Sequence, residues 1–572
     1  MADAKKNFKL RSNFEPGSFR EAVRRAQWKA LGISDADMEK PKIAVVNSSS
    51  ELAICFAHLD GVAKVVKDAV RAAGGLPFEI RTTAPSDFII GRGGAGGGGG
   101  YILPSRDLIV NDIEIPVEGS QLDGMVCLSS CDKTMPAHLM AAGRFNIPTV
   151  IVVCGYQPSG VVDGHHVDIE DVFFGSVQAG FGKLSQDQLR RMSDNAIKGP
   201  GVCSGMATAN SMHVVCEALG MTLPGSAPVA ANSPAMFDQA RRAGARIVDM
   251  VLEELKPRAV MTKGAFHNAV AAVLGVSGSI NCIKHLQAVA VESGLDIDVF
   301  QMFNDLGGKI PVLSAVRPNG EESIENFEAA GGCAALMKQL EPLLDTDALT
   351  CTGKSVGENL AGVTVKNPEV IRPVARAFST AAPITILRGS LAPDSAICKL
   401  GLRGPGRVST FDGPAIVFDN GPDAIAAIQA GEVKEGHVLV VRGMGPKGGP
   451  GMAGPASLVV FAVDSSGLQN KIAFISDGQL SGLCNKGLTV AEVSPESAIG
   501  GPLALVRTGD RIVIDVDDHR LDLMVPEPEL AARRAAWGGP KLKPAGGWLG
   551  IYQREVQPMS KGAVLVEVNS NS

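Results

Sequence analysis

Through roughly the first 370 residues, short apolar runs alternate with stretches in which apolar positions recur every three to four residues. That alternation of strand and helix patterns predicts a parallel α/β sheet. The runs "PKIAVVNSS", "LDGMVCLSS" and "IPTVIVVCG" predict strands. "LAICFAHLDGVAKVVKDAVRAAGG" predicts a helix closed by Gly74 and Gly75, and a helix over residues 138–144 follows the second strand. "SMHVVCEALG", "PAMFDQARRAGARIVDMVLEEL", "AFHNAVAAVLGV" and "SIENFEAAGGCAALMKQLEPLL" predict further helices. From residue 383 the texture changes. "ITILRGSL", "AIVFDNG", "HVLVVRGMG", "NKIAFISDG", "LTVAEVSPE" and "LALVRTGDRIVIDVDDHRLDLMV" are short, closely spaced strand patterns, and helical pattern is limited to pieces such as "PDAIAAIQAG". The expected fold is α/β: an N-terminal parallel-sheet α/β domain over residues 1–380, then a C-terminal mainly β, barrel-like or sandwich domain over residues 381–572.

At 572 residues the chain is too long for one core. A net charge of −6 leaves no basic footprint for nucleic acid, and 5% aromatic residues leave no base-stacking surface. The polar N-terminus has no apolar signal core, and no apolar run is long enough to span a membrane. The 11 cysteines follow no framework spacing, which suggests a reducing cytoplasm in which most thiols are small core residues. The segment "GRGGAGGGGGY", residues 91–101, lacks a leading strand and a following Lys-Ser/Thr pair. It reads as a flap or linker and not as a phosphate loop.

Three cysteines stand in unusual company. Cys55 is placed at the first turn of the helix after the first strand, Cys131 just past the second strand, and Cys203 ahead of another helix. Ligands gather at the carboxyl ends of parallel strands, and helix N-termini favour thiolates. Three such thiolates suit an iron–sulfur cluster or part of a zinc site, and without a C-x-x-C pair the spacing leaves both open. Asp132 and Lys133 follow Cys131 directly, and Asp87 lies at another strand end. Carboxylate oxygens suit Mg²⁺, whereas a lysine joins a cation only when neutralised or carbamylated. "FISDGQLSG" offers Ser481 at a sharp turn, and "GMGPKGGPGM" is a second tight loop. No G-x-S-x-G elbow is present, which argues against a serine hydrolase. His58 falls near Cys55, and His165 and His166 lie in the polar loop "VVDGHHVDIED".

The segments "NSSSELAICFAHL", "YILPSRDLIVNDIE", "SSCDKTMPAHLMAA", "CSGMATANSM", "MTKGAFHNAV", "GPKGGPGM", "SDGQLSG" and "SPESAIGGPLALVRTGD" run in order through most of the chain. Together they resemble the dihydroxy-acid dehydratase/6-phosphogluconate dehydratase family. The resemblance implies a hydro-lyase that converts 2,3-dihydroxy carboxylic acids, branched-chain or sugar acids, to 2-keto acids. It implies a [2Fe-2S] cluster on Cys55, Cys131 and Cys203. It implies Mg²⁺ on Asp87, Asp132, carbamylated Lys133 and Asp419, with Ser481 as the base. It also implies a homodimer or homotetramer acting on a small molecule. Where the family carries "GGSTN" and "GGP", this chain carries "SGSIN" and "CGYQPSG", and the Gly-rich stretch is also unusual. Those departures leave the choice of acid open. A dedicated sugar-acid dehydratase and a non-catalytic iron–sulfur sensor are the competing readings.

Overall fold

The computed structural model describes residues 9–90, 100–380, 383–402, 408–449, 452, 455–484 and 487–566. The residues of the Gly-rich segment from 91 to 99 lie outside the described residues. Two sheets organise the chain. The first holds β1 (Lys42–Asn47), β2 (Leu76–Arg81), β3 (Gly124–Ser129) and β4 (Thr149–Val153) in the order β2-β1-β3-β4, every pair parallel. β1, β3 and β4 are buried along their whole length, as strands covered on both faces must be. β2, "LPFEIR", is half-exposed and mixes polar with apolar positions, so its residues carry no clear strand pattern.

The helix Pro234–Glu253 packs against the helix Leu59–Ala72, and Gly244 permits the approach. A Cβ at Gly244 would sit 2.8 Å from Ala69 Cβ and from the Val66 carbonyl oxygen. The helices Thr208–Ala218 and Asn281–Glu292 are buried nearly all round and form the centre of the first domain. Two departures from the sequence reading stand out. The helix after β1 begins only at Leu59, so Cys55 lies in the turn ahead of it. The pattern from residue 323 to 344 breaks at Gly331, whose φ of +114° ends one helix and caps the next.

A hairpin of β5 (Gly160–Val162) and β6 (His165–Val167) follows the first sheet. The second sheet has eight strands: β7 (Ile384–Leu387), β8 (Ser395–Lys399), β9 (Thr410–Phe418), β10 (Val438–Val441), β11 (Ala473–Ser476), β12 (Leu488–Ser494), β13 (Arg511–Asp515) and β14 (Arg520–Leu523). Their order is β14-β13-β9-β10-β11-β12-β8-β7, and an isolated bridge from Arg388 to Arg520 brings the two ends together into a nearly closed barrel. Val438, Val440, Ile475, Val490, Ile512 and Ile514 fill its interior. The alternate positions Leu439, Val441, Phe474 and Ala491 belong to the large core shared with the first domain. The sequence reading expected little helix here. In the structure β9 to β12 run parallel, and the helices Gly421–Gln429 and Pro455–Ser466 make crossovers between them. At the seam, Asn304 donates to the Ile386 carbonyl at 3.0 Å and accepts from its amide at 2.8 Å, which covers the open edge of β7. Among the described residues no helix is long and apolar enough to cross a membrane.

Candidate active site

Successive parallel strands deliver their chemistry to one end of the first sheet. Cys55 follows β1, Asp87 follows β2, and Cys131, Asp132 and Lys133 follow β3. A parallel bridge between Tyr156 and Val202 brings Cys203 beside the end of β4. This is the crevice beyond the carboxyl ends of the strands.

Local hydrogen bonds fix each loop. The Ser130 hydroxyl donates to the Cys55 carbonyl, and His213 Nε2 donates to the Ser130 carbonyl at 3.0 Å. Thr134 donates to the Cys131 carbonyl through both its amide (3.1 Å) and its hydroxyl (2.8 Å). Asn210 Nδ2 donates to the carbonyls of Cys203 and Gly205 at 2.7 and 2.8 Å.

The side chains these loops present form one group, with Cys131 and Asp132 buried and Asp87 half-buried. Asp87, Cys131 and Asp132 each offer a ligand atom, all within 4.8 Å of one another. Lys133, fully buried, donates to Asp132 Oδ2 at 2.8 Å and reaches Asp87 Oδ2 at 3.5 Å. Asp87 Oδ1 is buried with no partner among the described residues. Burial and the neighbouring Asp132 push the Asp87 carboxyl well above the usual carboxylate range. Burial also opposes the charge on Asp132, but Lys133, the hydrogen bond with Asp87, and Lys284 together hold that carboxyl low. Burial pulls on the Lys133 amine as well, yet Asp132 and Asp87 keep it above its ordinary range. The two acids therefore share one ammonium, and Asp87 Oδ1 stays without a partner among the described residues. Such a donor set fits a further cation.

The thiols do not behave as their places at strand ends lead one to expect. Cys55 and Cys131 are close enough to interact through sulfur, and that contact lowers Cys55. The same contact, with burial, pushes Cys131 well up. Burial, then the charge of Glu170, raises Cys203. Two of the three thiols are thus held above their ordinary range and one below it.

Ser481 comes from the second sheet, in the loop between β11 and β12. Its amide donates to Ser457 Oγ at 2.7 Å, and its Oγ accepts from the Leu483 amide at 3.3 Å. A Cβ on the next residue, Gly482, would meet Ser279 Oγ at 3.0 Å and Ala207 Cα at 3.1 Å. The serine loop is thus pressed onto the segment that carries Cys203. The Gly-rich loop after β10 is gathered by carboxylates. Asp477 accepts from the amides of Gly443 (3.2 Å), Met444 (2.9 Å) and Ser497 (2.9 Å), and Glu496 accepts from those of Lys447 and Gly448.

Asp419 does not join the group. Its side chain is 70% exposed at the end of β9 and pairs with Arg442 at 2.7 Å. His58 is a packing residue, donating from Nε2 to the Cys154 carbonyl at 2.7 Å, and His166 pairs with Asp168 at 3.0 Å. Lys284 and Glu492, a buried ion pair on the helix Asn281–Glu292 and β12, escaped the sequence reading. A lysine in a helical pattern and a glutamate in an alternating strand both read as surface residues.

The family model described as dihydroxy-acid/6-phosphogluconate dehydratase matches this chain in both its parts, the N-terminal part over residues 40–359 and the C-terminal part over residues 369–563. Among curated relatives, the dihydroxy-acid dehydratase of Methanococcoides burtonii is 41% identical, covering 95% of this chain and 98% of its own. That of Pyrococcus abyssi is 40% identical, covering 98% and 100%. That of Ignicoccus hospitalis is 39% identical, covering 95% and 98%.

Proposed function

We propose that this chain, which belongs to the dihydroxy-acid/6-phosphogluconate dehydratase family, removes water from a 2,3-dihydroxy carboxylic acid to give a 2-keto acid, with Ser481 as the base and the thiol–carboxylate group as the metal centre. It is a hydro-lyase, and its substrate is a small molecule. Cys55, Cys131 and Cys203 would hold a [2Fe-2S] cluster. Asp87, Asp132 and Lys133, once its amine carries CO₂ as a carbamate, would hold Mg²⁺. When bound, these groups supply Lewis acidity at the leaving C3 hydroxyl and charge neutralisation at the substrate carboxylate.

The chain's own residues do the rest. Ser481 Oγ takes the C2 proton, and the Leu483 amide that donates to that oxygen favours its charged form. The C3–O bond breaks as the C2–C3 double bond forms; the departing hydroxide takes back from Ser481 the proton drawn from C2 and leaves as water, which returns Oγ to its charged form, and the enol tautomerises to the 2-keto acid. The packing of Gly482 on Ala207 and Ser279 carries this reading, because it sets the serine loop of one sheet on the cysteine loop of the other. The natural assembly under this reading is a homodimer or homotetramer.

The test is an anaerobic assay of 2-keto acid formation over branched-chain dihydroxy acids and C3–C6 sugar acids, with and without Mg²⁺. Turnover is expected with at least one acid and should fall on chelation. Iron-loaded, folded protein that dehydrates none of them would refute the reading.

A further inference from the structure

The helix Asn281–Glu292 and β12 meet in an ion pair that the chemistry above leaves unused. Lys284 Nζ donates to Glu492 Oε1 at 2.5 Å and to Asn281 Oδ1, and the side chains of Lys284 and Glu492 have no solvent exposure. An ammonium carries three N–H donors, and these two bonds leave one. Glu492 Oε2 is buried and has no partner among the described residues. A bare buried carboxylate oxygen is costly, so its presence calls for an occupant.

The pair stands beside the reaction centre. The charge of Lys284 is near enough to be felt at both Asp132 and Lys133. Asn281 Nδ2 donates to Thr208 Oγ1 at 3.0 Å, Thr208 shares a hydrogen bond with Ser279 Oγ at 2.8 Å, and Ser279 abuts Gly482. Polar side chains thus run without a break from Lys284 to the serine loop. The backbone is bent to make this possible. The pairing of β12 with β8 slips between Ala491 and Ser494, where β12 holds one residue more than its partner, and Glu492 takes a φ of +55°. Val490 and Val493 stay inside the barrel, and Glu492 turns out toward Lys284. Strain of this kind at a glutamate persists where the surroundings impose it.

We propose that Lys284 and Glu492 bind a substrate hydroxyl beyond those at C2 and C3, and so select polyhydroxylated acids over aliphatic branched-chain ones. The inference rests on the dehydratase reading above. A hydroxyl donates to Glu492 Oε2 and accepts the remaining Lys284 N–H. An alkyl group satisfies neither, and a site built for a hydroxyl rejects the analogue that lacks it far more strongly than an apolar pocket sorts methylenes.

The test uses the iron- and Mg²⁺-loaded enzyme. kcat/KM for 2-keto acid formation is measured with a five- or six-carbon aldonic acid, with its monodeoxy analogues at C4 and beyond, and with 2,3-dihydroxy-3-methylbutanoate. The aldonic acid is expected to be preferred, with one deoxy position losing about 10²–10⁴-fold. In the Lys284→Met/Glu492→Leu protein, which removes both charges together, the ratio of aldonic to aliphatic kcat/KM should fall about 100-fold. Full activity with every deoxy analogue, or an unchanged ratio in a double variant that melts as the wild type does, would overturn the proposal. The deoxy series needs no variant and decides the matter if the double variant fails to fold. Wild-type enzyme that turns over no dihydroxy acid at all would overturn the dehydratase reading and this inference with it, whereas turnover without hydroxyl discrimination overturns this inference alone.

Discussion

Replacing the sulfur of Cys131 by oxygen removes the thiol that sits between the Cys55 sulfur and the two acids of the pocket. Cys131→Ser is therefore expected to lose its iron, measured by metal analysis, and its turnover with it. Ser481→Ala should keep full iron and lose about 10²–10⁴ in kcat, the ordinary worth of a positioned base. A variant of Ser481 that stays active would take the base elsewhere. Asp419→Asn should keep both iron and turnover, because the carboxylate is exposed on Arg442. At this scale the run "SSCDKT" was legible because thiol, carboxylate and amine have no common use in a core. Lys284 and Glu492 were not, because only the fold shows that each is buried against the other.

Between residue and fold, the site depends on loops held at fixed separation. Gly482 touches Ser279 and Ala207 so closely that Gly482→Ala must push the serine loop outward by a few tenths of an ångström. A kcat reduced about tenfold or more is expected with little change in melting temperature, since small misplacements of a reacting group are expensive. Wild-type kinetics in that variant would show that the loop does not position Ser481. The strands and long helices were legible from periodicity. The helix start at Leu59 was not, because the apolar residues of "LAICFAHL" continue the helical spacing through a turn. The parallel order of β9 to β12 was equally hidden, since the crossover helix Pro455–Ser466 is apolar on most sides and carries no clear stripe.

Across the whole molecule, buried carboxyls set how stability responds to pH. Burial pushes the Glu217 carboxyl up from 4.5 to about 7, against the pull of the Gly225, Ala227 and Ser226 amides. The folded state holds this proton more tightly than the unfolded chain does. The contribution is complete below pH 4.5 and lost as pH rises through 7, about 3 kcal/mol in all. Glu217→Gln should flatten that part of the denaturation profile between pH 5 and 8, and an identical slope in the variant would exclude Glu217 as its source. The two-part architecture could be read from texture alone, whereas the contact between the parts could not, because it is made by single residues such as Gly482 and Glu492 that carry no periodic signal. The extra residue in β12 has a genetic consequence. Loss of the Glu492 codon would leave a flush ladder with Val493 facing the barrel interior, yet it would withdraw the carboxylate from Lys284. A deletion that keeps the strand pairing of the barrel is thus a single-step route to a protein expected to fold and to lose its choice between acids.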